Sequence, residues 1–238
     1  THSVVLTATD AAGAVDTQSF TITVSNTNDG PSITSSEVTT VNEDAAYSYT
    51  FAATDVDSGD TVTLAAPTKP LWLTFNAATG VLSGTPTNDA VGTHSVVLTA
   101  TDGAGAVDTQ SFTITVSNTN DAPTLIVTNG SVTEDSGTYT VSGSLNGSDV
   151  DVGATLTYSV TDTSGTYGNL TLNSTTGAYS YAMDNSNTAV QALNGSESLT
   201  ESFTVSVTDG VATTSKSLSF VINGANDAPV SLALSANT

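Results

Sequence analysis

Acidic side chains occur in this sequence in short clusters that have the composition of a hard-metal site. Asp55 and Asp57 are separated by one residue, as are Asp149 and Asp151, and Asp102 and Asp209 each end a stretch rich in Val and Thr. Calcium takes roughly six to eight oxygen ligands in an adaptable shell, whereas magnesium demands a tight octahedron. The clusters therefore predict bound Ca2+ as the cofactor.

EF-hand loops and ordinary turns also contain clustered Asp and Asn. The loops are not EF-hands, because position 12 counted from Asp55 is Ala66, and counted from Asp149 it is Val160, where that loop needs Glu. Asp, Asn and Gly dominate ordinary solvated turns, so a single cluster carries little weight and a solvated turn stays an alternative. Recurrence of the same set at each predicted module junction favours calcium.

The overall charge excludes several classes of function. The 238 residues include 23 acidic and 2 basic side chains, giving a formal net charge of −21. Nucleic acid and anionic lipid need Lys and Arg, so neither is an expected partner. Because 37% of its residues are hydrophobic, we expect the chain to be folded rather than disordered. The sequence contains no Cys, and no apolar run is long enough to cross a membrane. These features fit an extracellular protein stabilised by metal.

An internal duplication predicts the module boundaries. Residues 1–31 and 93–123 are related by an offset of 92, and they differ only where Ala11 and Gly30 correspond to Gly103 and Ala122. We therefore predict the C-terminal strands of a truncated module over 1–30, a complete module over 31–122, a second module over 123–228 and the first strand of another over 229–238. Asn-Asp-small-Pro marks the three joints.

Alternating apolar residues predict the elements that position the acidic clusters. Tyr47, Tyr49 and Phe51 alternate with polar residues, as do Phe203, Val205 and Val207, which is typical of half-buried strands. Turn signals about every 8–12 residues predict an all-β fold of tandem antiparallel sandwiches. The strand directions gather ligands at the module ends, and the predicted calcium ligands are Asn26, Asn28, Asp29, Glu43, Asp44, Asp55, Asp57, Asp102, Asn118, Asn120, Asp121, Glu134, Asp135, Asp149, Asp151, Asp209, Asn226 and Asp227.

Several longer motifs resemble those of known surface modules. Leu71–Pro86, LWLTFNAATGVLSGTP, resembles the dystroglycan-type cadherin-like Ig module of large bacterial surface proteins, and Asn118–Pro123 resembles the cadherin linker. Residues 123–228 resemble a VCBS repeat through Ser131–Asp135, Asp184–Asn187 and Ala189–Leu193. The resemblance implies a large RTX-type adhesin of Gram-negative bacteria, exported by a one-step (type I) system, with these modules as extender segments at the cell surface that support adhesion or biofilm formation.

The repetition favours a structural role over the alternatives. We predict a calcium-rigidified extender whose partners are neighbouring modules of the same long chain. Two alternatives stay open, namely modules that form an extracellular filament by strand sharing with other copies, and a carbohydrate- or cell-binding module. We do not expect an enzyme, because His2 and His94 are one duplicated position and no residue set resembles a catalytic triad. Residues 1–24 and the strand with Leu232 and Leu234 should need strands from outside the chain.

Overall fold

The computed structural model describes residues 1–227, so the predicted strand over 229–238, with Leu232 and Leu234, lies outside the described residues. The chain divides into two compact units, the first spanning Thr1–Asn118 and the second beginning at Thr119. In the described part, every regular element is a β-strand except the short 3-10 helix Asn88–Ala90. The all-β prediction is therefore confirmed.

The first unit contains a separate hairpin and a sandwich. Its strands are β1 (His2–Thr9), β2 (Val15–Ile22), β3 (Ser32–Ile33), β4 (Thr40–Asn42), β5 (Tyr47–Thr50), β6 (Ala53–Thr54), β7 (Thr63–Thr68), β8 (Leu73–Asn76), β9 (Val81–Gly84), β10 (Gly92–Thr101) and β11 (Val107–Ser117). One sheet has the order β4-β11-β10-β7 and the other β5-β9-β8, while β1 pairs with β2 and β3 with β6.

The second unit contains a sandwich with the same strand arrangement as the first. Its strands are β12 (Thr124–Ile126), β13 (Gly130–Thr133), β14 (Thr140–Ser144), β15 (Asn146–Ser148), β16 (Thr157–Val160), β17 (Gly168–Leu172), β18 (Ala178–Met183), β19 (Ser198–Thr208) and β20 (Thr213–Asn223). The sheets have the orders β13-β20-β19-β16 and β14-β18-β17, and β12 pairs with β15.

One short edge strand in each sandwich pairs in parallel with the last strand, β4 with β11 and β13 with β20. The remaining pairs described between the strands are antiparallel. The first strand of each module is split between two sheets, and it runs in the same direction as the last strand. A hydrogen-bonded pair between them must therefore be parallel.

The alternating residues fill two separate cores, one in each unit. In the first core Tyr47, Tyr49 and Phe51 are at most 4% exposed and pack with Leu98 and Ile114 on the other sheet. The second core packs its own apolar residues, which are Leu125, Val132, Leu145, Tyr158, Leu170, Tyr179, Tyr181, Met183, Val190, Leu193, Phe203, Val205, Val207, Leu218, Phe220 and Ile222. Burial of a large apolar side chain contributes about 1.5–3 kcal/mol, so these faces hold the sheets together.

Two glycines permit the turns that enter the central strands of the smaller sheets. Gly80 and Gly177 have φ of +72°, and a Cβ on either would collide with a backbone carbonyl, that of Phe51 or that of Leu145. These positions end the Asn-x-x-x-Gly turns before β9 and β18. Glycine tolerates both the positive φ and the close backbone approach.

Candidate metal centres

The first centre comprises Asp55, Asp60 and Asp102, and one carboxylate oxygen from each lies within 4.8 Å of the other two. Asp55 follows β6 and Asp102 follows β10, so strand ends bring them together. Oδ1 of Asp55 accepts the backbone N–H of Asp57 at 2.8 Å, whereas Oδ2 is buried and accepts no hydrogen bond. A buried carboxylate oxygen without a donor is costly unless a cation compensates it.

The linker that precedes the first sandwich forms hydrogen bonds with Asp102 of this centre and with the neighbouring Asp57. Asp57 accepts Nδ2 of Asn26 on Oδ1 and the backbone N–H of Asp29 on Oδ2, both at 2.8 Å. Nδ2 of Asn28 donates to Oδ2 of Asp102 at 2.9 Å. The three predicted linker residues therefore lie beside the predicted aspartates of their own unit.

Asp102 is held in its ionised form by donors. Its Oδ1 accepts the backbone N–H groups of Ala104 at 3.0 Å and Ala106 at 2.7 Å. The carboxamide of Asn28 and these backbone N–H groups lower the pKa of Asp102 below its ordinary value, against a smaller opposing effect of burial. The centre consequently carries negative charge at neutral pH.

The second centre comprises Asp149, Asp151 and Asp209, and again one carboxylate oxygen from each lies within 4.8 Å of the other two. Oδ1 of Asp149 accepts the backbone N–H of Asp151 at 2.9 Å, and its Oδ2 is buried without a hydrogen bond. Asp149 thus repeats the local structure of Asp55, although the two modules differ widely in sequence. The unpartnered oxygen is a feature of the motif, since it occurs twice.

The linker before the second sandwich repeats the contacts of the first. Nδ2 of Asn120 donates to Oδ2 of Asp209 at 2.9 Å, and the backbone N–H of Asp121 donates to Oδ2 of Asp151 at 2.9 Å. Oδ1 of Asp209 accepts the backbone N–H groups of Ala212 and Val211 at 2.7 and 2.6 Å. These backbone donors and Asn120 lower the pKa of Asp209 below its ordinary value.

The third carboxylate of the two centres comes from different positions. In the first unit Asp60 joins the group, and the backbone N–H of Asp60 donates to the carbonyl of Asp57 at 3.2 Å. In the second unit the residue that corresponds to Asp60 is Ala154, and Asp151 takes the third place. The ligand prediction did not include Asp60, although its place in Asp-x-Asp-x-x-Asp was a visible signal.

A group at the opposite end of the second sandwich surrounds a buried glutamate. Glu134 is 0% exposed, and its Oε1 accepts the backbone N–H of Ala225 at 3.0 Å. Asp135 has φ of +52°, and it exchanges two hydrogen bonds with Asn185, at 2.8 Å and 3.1 Å. The carboxamides of Asn185 and then Gln191 lower the pKa of Asp135, with a smaller contribution from Asp227. Asn185 and Gln191 were not among the predicted ligands, although both lie in the motifs that resemble a VCBS repeat.

The remaining predicted ligands are placed as follows. Glu43 is 2% exposed and its backbone N–H donates to the carbonyl of Ser117 at 3.0 Å. Asp44 is exposed, has φ of +58° and repeats the conformation of Asp135. Asn118 and Asn226 are exposed residues that follow the last strands of their sandwiches. Their role as ligands stays a prediction.

The basic side chains and His94 have partners or positions that suit structural roles. Nζ of Lys69 donates to the carbonyl of Leu73 at 2.6 Å, and Lys216 lies opposite Val205 in the β19–β20 pair. Nε2 of His94 lies 2.6 Å from the carbonyl oxygen of Ala90, and the His94 ring packs edge-on against Trp72. Since these are the only basic side chains of the sequence besides His2, cations that balance the acidic centres must come from solution.

The oxygen donors of the two centres are of the kind that calcium binds. Each supplies three clustered carboxylates, one of which has a buried oxygen with no hydrogen bond. Hard oxygen donors are the ligands that calcium prefers, and side-chain amides, carbonyls and water complete its shell. Asp55, Asp60 and Asp102 would hold one ion, and Asp149, Asp151 and Asp209 would hold another.

Comparison with known families assigns each sandwich to a module type. Residues 30–117 match the family described as "Putative Ig domain", and residues 120–224 match the family described as "Bacterial cadherin-like domain". The chain is therefore a tandem of an Ig-like and a cadherin-like β-sandwich, as the sequence predicted.

The curated relatives are bacterial adhesins. Over 115 residues the chain is 32% identical to the "Serine-rich adhesin for platelets" of Staphylococcus aureus strain MRSA252, a match that covers 46% of this chain and 8% of the relative. The same protein from strain MSSA476 matches at 32% identity, with 46% of this chain and 5% of the relative covered. The chain thus spans less than a tenth of the length of these relatives.

Solved cadherin structures share the fold. The structure of PcdhgB3 EC1-4 superposes with a TM-score of 0.61 at 18% identity, covering 94% of this chain and 57% of the other. Protocadherin Gamma B2 extracellular cadherin domains 1-5 superpose with a TM-score of 0.55 at 16% identity, covering 96% and 46%. Within residues 1–227 no helix has the length and apolar character needed to cross a membrane.

Proposed function

We propose that this chain is a calcium-rigidified extender segment of a bacterial cell-surface adhesin, which projects a distal binding domain from the cell. The observation that carries the proposal is the repeated centre. Asp55 and Asp149 each have a buried oxygen without a hydrogen bond, and each lies beside two further carboxylates. Because the same site occurs in two modules of different sequence, it suits a structural role that both modules share better than a single catalytic reaction.

The proposed mechanism couples metal binding to the order of the linkers. Calcium supplies positive charge that offsets the repulsion among the clustered carboxylates. In the second unit, Asp151 and Asp209 accept hydrogen bonds from the linker residues Asp121 and Asn120. Neutralising the centre therefore holds the linker against the sandwich that follows it. Without the ion the carboxylates repel one another and the linker contacts weaken.

The same proposal covers the type of the parent protein, its export and its partners. The adhesin relatives and the cadherin-like module support a secreted, non-enzymatic surface protein. We include in the proposal the VCBS type of the second module, RTX-type export in one step, support of biofilm formation and, as partners, neighbouring modules of the same chain. The centres lie in turn motifs at strand ends, which suits joints better than catalysis.

Small-angle scattering tests the extender proposal. Replacement of Asp149 and Asp151 with Ala removes two carboxylates of the second centre. The control Asp89→Ala/Asp162→Ala removes the same charge from exposed positions outside both centres. Calcium should narrow the distribution of maximum dimensions for the parent and the control. The variant in calcium should keep a broader distribution than the parent in calcium, because only its second centre is lost. Identical curves for variant and parent in calcium would refute the proposal.

A further inference from the structure

We propose that a cleft in the second sandwich, between the loop of residues 161–167 and residues 200–204 of β19, is a binding site for a neutral saccharide. The cleft has a volume of about 580 Å³, and small-ligand sites usually have volumes of about 300–1,000 Å³. It shares no residue with either metal centre. The proposal therefore does not rest on the extender role.

One wall of the cleft is a sheet edge whose backbone groups are free. β16 ends at Val160, and the backbone N–H of Thr161 donates to the carbonyl of Thr204 at 3.1 Å. Backbone groups alternate between the two sides of an antiparallel strand, so those of Ser202 and Thr200 point to the same side as those of Thr204. In the part of the chain that the structure describes, no strand pairs with them on that side. Their N–H and C=O groups are therefore available to a ligand.

The other wall is a loop that hydrogen bonds hold in place. Glu201 is 6% exposed, and its Oε1 accepts the backbone N–H of Tyr167 at 2.8 Å. Gly165 approaches the same carboxylate so closely that a Cβ would lie 2.3 Å from its Cδ. Nδ2 of Asn187 donates to the carbonyl of Thr166 at 2.9 Å. A site that is ordered in advance loses less conformational entropy when a ligand binds.

Hydroxyl groups supply much of the remaining lining. A hydroxyl both donates and accepts hydrogen bonds, as the hydroxyls of a sugar do, so the two can pair without any net charge. Among the described residues, the lining hydroxyls that form no hydrogen bond with the rest of the chain are those of Thr161, Ser164, Thr166, Tyr167, Thr200 and Thr204.

The charge and polarity of the cleft select the kind of ligand. No Lys, Arg or His lines it, and the whole chain has a formal net charge of −21. An anionic ligand would therefore find no compensating charge. An apolar ligand would bury the hydroxyls and the free edge without partners, which is costly. A neutral saccharide satisfies both conditions, and Tyr167 adds an aromatic ring with a polar tip to the lining.

An added peptide strand fits the cleft less well than a sugar. The carbonyl of Thr204 already accepts a hydrogen bond, so the free backbone groups of the cleft are those of Ser202 and Thr200. Peptides that add to a sheet edge gain affinity from a row of main-chain hydrogen bonds, and strands are usually about 3–10 residues long. Two residues of free edge suit a single sugar unit better than a strand.

An array of immobilised oligosaccharides is the probe for the full-length chain. It carries neutral oligomers of glucose, galactose, mannose and N-acetylglucosamine. Uronic-acid oligomers are the anionic arm and glucosamine oligomers the cationic arm. We expect saturable binding of at least one neutral oligomer, at least tenfold tighter than that of any charged one. The proposal is overturned if no neutral oligomer binds or if a charged oligomer binds more tightly.

Amide shifts of the isotope-labelled chain locate the bound oligomer. The changes should be confined to residues 161–167 and 200–204. Thr200→Trp places a large ring at an exposed residue that lines the cleft, and it should weaken binding at least tenfold. Thr213→Trp is the matched control, because Thr213 is exposed in the same sheet and lies opposite Thr208, at the other end of β19. It should bind as the parent does.

Three results of these measurements would overturn the proposal. The first is shift changes outside the cleft, and the second is equal binding by Thr200→Trp and the parent. A hexapeptide of alternating Thr and Val supplies the third. If it shifts the same amides and binds more tightly than the neutral oligomer, the cleft is a site for strand addition instead.

Discussion

Asp149→Asn is the perturbation that separates a metal centre from a solvated turn. The substitution keeps the size of the side chain and the acceptor for the backbone N–H of Asp151. It replaces the buried Oδ2, which has no hydrogen bond, with an amide that donates toward the neighbouring carboxylates. We therefore expect a variant that is at least as stable as the parent in chelator and clearly less stable in calcium.

The size of the calcium effect follows from linkage. A ligand at a hundred times its Kd stabilises the native state by about 2.7 kcal/mol. For a module of about 100 residues, each kcal/mol shifts Tm by about 4–8 °C. Calcium should thus raise the Tm of the second unit by about 10–20 °C in the parent, and Asp149→Asn should remove most of that rise.

The chain contains one natural probe for each unit. Trp72, the single tryptophan, packs against the first core, and Met183, the single methionine, is 5% exposed in the second. Tryptophan fluorescence follows unfolding of the first unit, and the methyl signal of Met183 follows the second. Asp149→Asn should change the calcium response of the Met183 transition.

A matched variant and a clear contrary result complete the test. Asp162→Asn removes a carboxylate of the second unit that caps the backbone N–H of Ser164 and lies outside the centres. It should keep the full calcium-dependent rise in Tm. If Asp149→Asn shifts the Tm equally in calcium and in chelator, the buried oxygen is only a local defect and the metal argument is wrong.

Three further predictions rest on single contacts. Leu98→Ala should lower the free energy of unfolding by about 2–5 kcal/mol in denaturant melts, whereas Leu6→Ala, at the duplicated exposed position, should leave it unchanged; equal costs would contradict the burial contrast. Hydrogen bonds from a neighbouring serine lower the pKa of Asp184, so they stabilise the fold above the unfolded pKa of about 3.9 and are lost as pH falls through the lowered value. The decrease in Tm caused by Asp184→Asn should therefore be full at pH 6 and smaller in strong acid. A decrease that does not depend on pH would disprove this. Glu201 is 6% exposed and accepts the hydroxyl of Tyr181 at 2.7 Å; Glu201→Gln should cost about 1–3 kcal/mol in urea melts, and no loss would show that the buried acid is dispensable.

The sequence was sufficient to predict the sandwich because its signal is local. Tyr47, Tyr49 and Phe51 alternate with polar residues, and an alternating pattern can bury only one face of a strand. The state of the N-terminal hairpin was harder, since residues 1–24 carry the same pattern as their buried copy. Whether Leu6 is covered depends on partner strands outside the hairpin, which the local pattern does not contain.

The candidate centres were predictable in outline and not in detail. Strand direction was enough to bring Asp55 toward Asp102, because both residues follow strands that finish at the same end of the sandwich. Loop conformation decides which neighbour completes the group, and it selects Asp60 in one unit and Asp151 in the other. The pairing of Asn185 with Asp135 joins positions 50 residues apart, a contact that spacing alone does not reveal.

Calcium titration by calorimetry tests the central claim most directly. The parent should bind calcium saturably, and magnesium should compete poorly because it prefers a tighter, octahedral shell. The double variant Asp55→Asn/Asp149→Asn, which replaces one buried Oδ2 in each centre, should lose at least tenfold in affinity. The control Asp89→Asn/Asp162→Asn should bind as the parent does. Equal calcium binding by the parent and the Asp55→Asn/Asp149→Asn variant, or no binding by the parent, would contradict the account.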